Sequence, residues 1–204
     1  MLGKGPSPTT LAFEHVNLRF NPFGELEPAL RAQVAVTPPL VLASGDIVQV
    51  MGDAGRGKTT HLLAWQAAIP GSGYEYVPEG SDRLRTSPLP PTFFADEAQR
   101  LCRRDIDRLF TSVDRLVIAT HVDLSCFARR PVRTVVLRGI DVDRLEGIVS
   151  RRIQAARRGA GPVPRVSRAS LVRLIHRFGD DLRTMEGYLY EVFQSLEEPC
   201  DVEV

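Results

Sequence analysis

Apolar residues fall into two rhythms along this chain, and the change from one to the other divides it. "GDIVQVMG" (45–52) is an apolar run of strand length closed by glycine, and "KTTHLLAWQAAI" (58–69) follows with helical composition until "PGSG" stops it. "YEYVPEG" (74–80) predicts a second short strand. "EGSDRLRTSPLPP" (79–91) reads as a proline-bearing loop without periodicity, and "TFFADE" (92–97) as a third strand ending in two acids. Ala98, Leu101, Cys102, Ile106, Leu109 and Phe110 then share one helical face, before "RLVIATH" (115–121) and "RTVVLRGI" (133–140) predict strands four and five.

From Asp141 the alternation stops and three helical patterns follow in a row. The first uses Leu145, Ile148, Val149 and Ile153. The second uses Leu171, Leu174, Ile175 and Phe178, with Ser167 as N-cap and Gly179 in the left-handed position just past its end. The third, capped by Asp180 or Asp181, carries Leu182, Met185, Leu189, Val192, Phe193 and Leu196 on its apolar face. This order predicts an α/β domain with a sheet core over residues 1–140 and a helical domain over 141–204. Residues 1–10 read as a loose arm, and "LAFEHVNLRFNPFGELEPALRAQV" (11–34), which mixes turn signals with aromatics, as a segment that wraps the core.

Composition narrows the classes. Hydrophobic residues at 43% and charged residues at 25% exclude a disordered chain and a coiled coil. A net charge of +1 excludes a wholly basic protein that coats nucleic acid, yet residues 129–183 hold 14 arginines against five acids. No run approaches the roughly 20 apolar residues of a spanning helix, and "MLGKGPSPTT" has no signal-like apolar region, so a cytoplasmic location is expected. Three scattered cysteines without a CxxC pair read as reduced thiols, and His15, His61 and His176 have no metal-ligand pattern around them.

"GDAGRGKTTH" (52–61) lies between the first strand and the first helix and fits G-x-x-x-x-G-K-[ST]. Residues Gly52, Asp53, Ala54, Gly55, Arg56, Gly57, Lys58, Thr59 and Thr60 are therefore candidates to cradle the phosphates of ATP. Glycines turn backbone N–H groups inward, Lys58 reaches the β and γ phosphates, and Thr59 binds Mg²⁺. Lys4 and Lys58 are the only lysines beside 24 arginines, and a compact ammonium suits that slot where a broad guanidinium does not. Asp96 and Glu97, ending a downstream strand, suit Mg²⁺ binding and activation of the attacking water respectively. The bland alternative is an acidic strand end that complements the dipole of the next helix.

"FFADEAQRL" (93–101) resembles the strand carrying the acidic pair in AAA+ ATPases of the ExeA and TniB kind, and "NLRFNPFGEL" (17–26) is similar to the Asn-Pro-Phe stretch near their N-termini. "GDDLRTMEGYL" (179–189) looks like the sensor 2 helix of DnaA-type AAA+ proteins. The resemblance implies a P-loop NTPase (AAA+-like) parallel-sheet core with a C-terminal helical lid. It implies that Arg183 touches the γ-phosphate and that Thr120 or His121 takes the sensor 1 place, which asparagine fills in many relatives. His121 equally resembles the switch histidine of ABC ATPases, or serves a structural role. An arginine finger among Arg129, Arg130 and Arg133 would require a homo-oligomer, and the likeness points to DNA or a DNA-bound protein as partner, without a helix-turn-helix for reading sequence.

One departure is the connection Glu79–Pro91, whose 13 residues leave little room for a crossover helix. Either it is irregular or the second strand runs antiparallel. It also leaves no space for a pore loop, which favours a conformational switch over a threading motor. Two alternatives stand beside a hydrolysing switch: an ABC-type ATPase, weakened by the lack of a Leu-Ser-Gly-Gly signature, and a nucleotide-gated adaptor that binds ATP with little hydrolysis.

Overall fold

The computed structural model describes residues 13–204; the segment read as a loose arm lies outside them. The chain divides into two compact units. One holds Leu26–Gly139 with Asp180–Arg183; the other holds the described residues up to Glu25, Ile140–Gly179 and Thr184–Val204.

In the first unit the apolar runs become a parallel sheet. Its strands are β1 (Ile47–Met51), β2 (Gly73–Tyr76), β3 (Thr92–Asp96), β4 (Arg115–Thr120) and β5 (Val132–Val136), in the order β2-β3-β4-β1-β5. Every pairing is parallel. The runs in β1, β3 and β4 are continuous because both faces of the central strands are covered. On one face Ile47, Phe93, Leu116 and Ile118 pack with Ile106 and Leu109 of α3 (Arg103–Ser112). On the other, Val48, Val50, Phe94 and Val117 pack with Leu62 and Trp65 of α2 (Lys58–Ala67).

Strand β2 runs parallel to β3, from Gly73 beside Phe93 to Tyr76 beside Asp96, so the irregular connection is the one realised. Its backbone is held by side chains in place of a crossover helix. Leu84 N–H donates to Asp105 Oδ2 at 3.0 Å, and the N–H groups of Arg85 and Thr86 donate to Glu75 at 2.8 and 3.0 Å. Gly73 is required where β2 begins, because a Cβ there would stand 2.7 Å from both Phe93 Cδ2 and Pro90 Cγ. The helix expected from Ala98 is split into a 3-10 turn over Ala98–Arg100 and α3 proper. A helix that periodicity did not reveal, α1 (Pro28–Val34), opens with proline at its first turn, where the missing N–H costs nothing.

The helical unit contains α4 (Val142–Ala156), α5 (Arg168–Phe178) and α6 from Thr184 onward, the helix as a whole spanning Leu182–Gln194. Asp141 caps α4 by accepting from Arg144 N–H at 2.7 Å, and Ser167 caps α5 by accepting from Ser170 N–H at 3.2 Å. Gly179 has φ 65° and ψ −124°. This corrects the expected left-handed turn: the chain leaves α5 in the mirror image of an extended conformation, which glycine alone adopts freely. On α6, Met185, Leu189 and Phe193 are buried and Leu182 and Val192 half-buried, while Leu196, expected on this face, is half-buried past the helix end at Gln194.

Residues 13–25 belong with these helices, whereas the boundary expected at 140 grouped them with the sheet. Phe23 meets Phe193 edge-on at 4.8 Å, Leu18 forms an antiparallel bridge with Arg157, and Asn21 donates to Tyr190 O at 2.9 Å while its Oδ1 accepts from Phe23 N–H. Two residue pairs add a short parallel ladder, β6 (Arg165–Val166) with β7 (Asp201–Val202).

Candidate nucleotide-binding site

The loop between β1 and α2 is shaped by glycine. Gly55 and Gly57 have φ of 79° and 82°, in the left-handed region that L side chains avoid. A Cβ on Gly55 would lie 2.3 Å from Asp181 Oδ1, and one on Gly52 3.1 Å from Leu137 O. No side chain caps the first turn of α2, which leaves its N–H groups and the positive end of its dipole directed at the loop. Asp53 and Ala54 are exposed, Thr60 is half-buried, and Arg56 forms an ion pair with Asp180, whose carboxylate also accepts from Gly139 N–H at 2.8 Å.

Lys58 is only 5% exposed. Its ammonium donates to Gly52 O at 2.8 Å and Asp53 O at 2.9 Å, and stands 3.2 Å from His121 Nε2. Burial lowers its pKa, opposed by the charges of Glu97, Asp96 and Asp53 and reinforced by Arg183.

Asp96, at the end of β3, is fully buried. One carboxylate oxygen accepts from Glu97 N–H at 3.0 Å, the other from the Tyr74 hydroxyl at 3.0 Å, and the Thr59 hydroxyl is a further hydrogen-bond partner. Burial raises the pKa of Asp96, and the bonds from Thr59 and Tyr74 oppose that rise. The Tyr74 phenol is pushed up as well, by burial first and then by the Asp96 charge.

Glu97 takes a left-handed backbone, φ 59°. Its carboxylate accepts from Gln99 Nε2 at 2.8 Å, pairs with Arg100 at 3.3 Å and lies 3.5 Å from His121 Nε2. Arg100 is itself anchored on Tyr76 Oη at 3.0 Å and Val77 O at 2.8 Å, and the Tyr76 bond raises its pKa.

Of the two sensor candidates, the geometry brings His121 to Lys58 and Glu97. The buried Thr120 hydroxyl is used locally, donating to Val122 O at 2.8 Å and accepting from Val122 N–H at 3.1 Å. Arg183 is exposed, with its Cβ 3.4 Å from where a Gly55 Cβ would be. The three finger candidates separate. Arg130 donates to Val113 O and Asp114 O at 2.8 and 3.0 Å and Arg133 to Val41 O at 3.1 Å, whereas Arg129 is exposed.

Thr59 and Asp96 offer hard oxygen donors, which suit Mg²⁺. Among the described residues no cluster of three or more His, Cys, Asp or Glu could hold a metal on its own. Sequence reasoning passed over Tyr74, Gln99 and Arg100. Gln99 and Arg100 stood inside the quoted "FFADEAQRL" motif, but Tyr74 becomes visible only once β2 is paired with β3 in parallel register.

A five-stranded parallel sheet of order β2-β3-β4-β1-β5, with a glycine loop leading from β1 into a helix, has the AAA+-like P-loop fold. Solved structures share this fold. One variant of RuvB from Thermotoga maritima matches with TM-score 0.52 at 16% identity, covering 77% of this chain and 58% of that one. A second variant matches with TM-score 0.51 at 14% identity, covering 76% and 58%. The chain thus spans less than two thirds of these RuvB structures, and the likeness is one of fold. No family profile and no curated protein matches it. No helix among the described residues is long and apolar enough to cross a membrane.

Proposed function

We propose that this chain binds ATP with Mg²⁺ and hydrolyses it to drive a conformational switch in a cytoplasmic, DNA-linked assembly. The observation that carries this reading is the convergence of five side chains at the ends of β1, β3 and β4. Lys58 and Glu97 both meet His121, and Thr59 meets Asp96. In this reading Lys58 stabilises the charge of the transferring phosphoryl group, Thr59 and Asp96 hold Mg²⁺, Glu97 takes the proton of the attacking water, and His121 orients that water. Bound Mg²⁺ supplies charge neutralisation on the β and γ phosphates. Arg183 clusters with the sheet unit while Thr184 onward clusters with the helical unit, so a change at Arg183 on loss of the γ-phosphate passes along the covalent course of α6.

Arg129, exposed where Arg130 and Arg133 are held by backbone carbonyls, is the residue proposed to reach a neighbouring copy's nucleotide. Four of the fourteen arginines are ion-paired inside the helical unit: Arg152 with Glu186, Arg158 with Glu14, Arg168 with Asp143 and Glu146, and Arg173 with Glu203. DNA association therefore rests on the resemblance to DNA-linked relatives and on the remaining arginines.

A second reading, a nucleotide-gated adaptor with little hydrolysis, is favoured by the engagement of Glu97 with Gln99, Arg100 and His121. Steady-state ATP hydrolysis over a range of protein concentrations, with and without duplex DNA and with Glu97→Gln alongside, separates the two. Turnover per subunit that rises with concentration or DNA and vanishes in Glu97→Gln is the expected result. Tight ATP binding with no turnover under any condition overturns the enzyme reading and leaves the adaptor.

A further inference from the structure

We infer that Tyr74 is a positioning residue for the metal site: its hydroxyl fixes the rotation of the Asp96 carboxylate and so sets the affinity for the divalent cation that accompanies the nucleotide. This rests on the proposed metal role of Thr59 and Asp96.

Tyr74 lies in β2, an edge strand of the sheet. Tyr74 pairs in register with Phe94, not with Asp96. Its ring packs against the cluster formed by Val48, Leu62, Trp65 and Phe94, and the phenol continues along the sheet to the carboxylate two residues beyond its partner. A diagonal neighbour at that offset is within reach of an aromatic side chain and of few others. The hydroxyl donates to Asp96 Oδ2 at 3.0 Å, and Glu97 N–H donates to Oδ1 at 3.0 Å. The carboxylate is thereby held at both oxygens, by a backbone group on one side and by Tyr74 on the other.

The Thr59 hydroxyl is a third partner of this carboxylate but is itself a proposed metal ligand, so the Tyr74 hydroxyl is the restraint that can be removed without altering either the backbone or the proposed ligands. Phenylalanine keeps the packed ring and deletes the donor. A cation needs its carboxylate ligand in one orientation, and a ligand freed to turn binds it more weakly. Loss of such a supporting hydrogen bond typically lowers metal affinity by about tenfold or more. The phosphate contacts of Lys58 and the loop N–H groups do not pass through Tyr74, so metal-free nucleotide binding is spared.

The test is equilibrium binding of a fluorescent ATP analogue, followed by polarisation, to the wild-type chain and Tyr74→Phe. Mg²⁺ is titrated from excess chelator upward, and thermal unfolding of both proteins is recorded. The expected result is a half-saturating Mg²⁺ concentration raised about tenfold, with affinity in chelator changed by less than about twofold. Superimposable Mg²⁺ curves overturn the inference. So does equal weakening with and without Mg²⁺, which would mark Tyr74 as a packing residue. Absence of any Mg²⁺ effect in the wild type is a separate outcome: it removes the metal role of Thr59 and Asp96, and the positioning role with it.

Discussion

Gln49 is a polar residue at the middle of β1, fully buried between β4 and β5. Its two ends face opposite needs. The amide nitrogen donates to Asp123 Oδ1 at 2.9 Å, and the amide oxygen accepts from Leu124 N–H at 2.7 Å. The bond from Gln49 is the main reason the Asp123 carboxyl sits below its ordinary pKa. A Gln49→Glu substitution keeps the acceptor for Leu124 but sets a second carboxylate oxygen against Asp123. At neutral pH the buried charge has no partner, and such an uncompensated charge costs about 3–5 kcal/mol. When protonated, the new acid can donate where the amide did. The folded-state pKa of the introduced carboxyl is therefore raised above its unfolded value of about 4.3. It follows that the variant approaches wild-type stability below about pH 4. It then loses about 1.4 kcal/mol per pH unit as pH rises, until the folded-state pKa is passed. A penalty of the stated size corresponds to about two to four pH units, which puts the plateau at about pH 6.5–8. Urea unfolding of both proteins from pH 4 to pH 8 measures it. Stability within about 0.5 kcal/mol of wild type at pH 8 would refute the donor role of the amide and the pinning of the loop that follows His121.

Four further outcomes follow, two at the site and two at the finger candidates. Because burial raises the pKa of Asp96, its ionised form is a cost to the nucleotide-free protein that is relieved as pH falls through that raised value. Asp96→Asn should then unfold at an equal or higher temperature at pH 7 while losing the Mg²⁺ dependence of nucleotide binding; a stability loss above about 1 kcal/mol in thermal melts would contradict this. Lys58→Arg should weaken ATP binding about tenfold or more in the polarisation assay, since a guanidinium does not fit among Gly52 O, Asp53 O and His121. Arg130→Ala removes two bonds to the Val113 and Asp114 carbonyls and should cost about 1.5–3 kcal/mol in urea unfolding. By contrast, Arg129→Ala should stay within about 0.5 kcal/mol and lower only the concentration-dependent part of ATP turnover.

Local signals carried much of this. The glycine loop, the buried runs of β1, β3 and β4, and the cap Ser167 each depend on a few neighbouring residues, so their expectation from sequence matches the fold, whereas Asp141 as the cap of α4 came only from the structure. The parallel sense of β2 did not, because it depends on Glu75 and Asp105 holding an irregular connection whose own residues show no period. Helix α1 was hidden since seven residues give periodicity little to work on. Thr120 and His121 could not be ranked, because the ranking turns on whether the Thr120 hydroxyl is consumed by Val122. Gln49 and Tyr74 are polar groups inside strands whose partners lie 74 and 22 residues away, a separation at which composition and spacing are silent.

The backbone at Glu97 explains how adjacent acids come to serve different partners. In a continuing strand Glu97 would point to the face opposite Asp96, and only one of the two could look toward the loop. The chain instead turns left-handed at residue 97, at a local cost of about 1–2 kcal/mol for a residue with a Cβ. The turn is supported by Glu97 N–H on Asp96 and by Arg100 N–H on Glu97 O at 3.0 Å. Asp96 thereby stays within the sheet against Thr59 and Tyr74, while Glu97 emerges toward His121 and Arg100. In the proposed reaction these separate environments keep one carboxylate as a fixed ligand and the other as a base. The Glu97 carboxylate is also engaged by Gln99 and Arg100. In that proposed reaction His121, which lies within reach of both Glu97 and Lys58, is the place where arrival of a γ-phosphate at Lys58 can be felt at the base, and the Thr120–Val122 turn and the Gln49 bonds to Asp123 and Leu124 hold the segment around it.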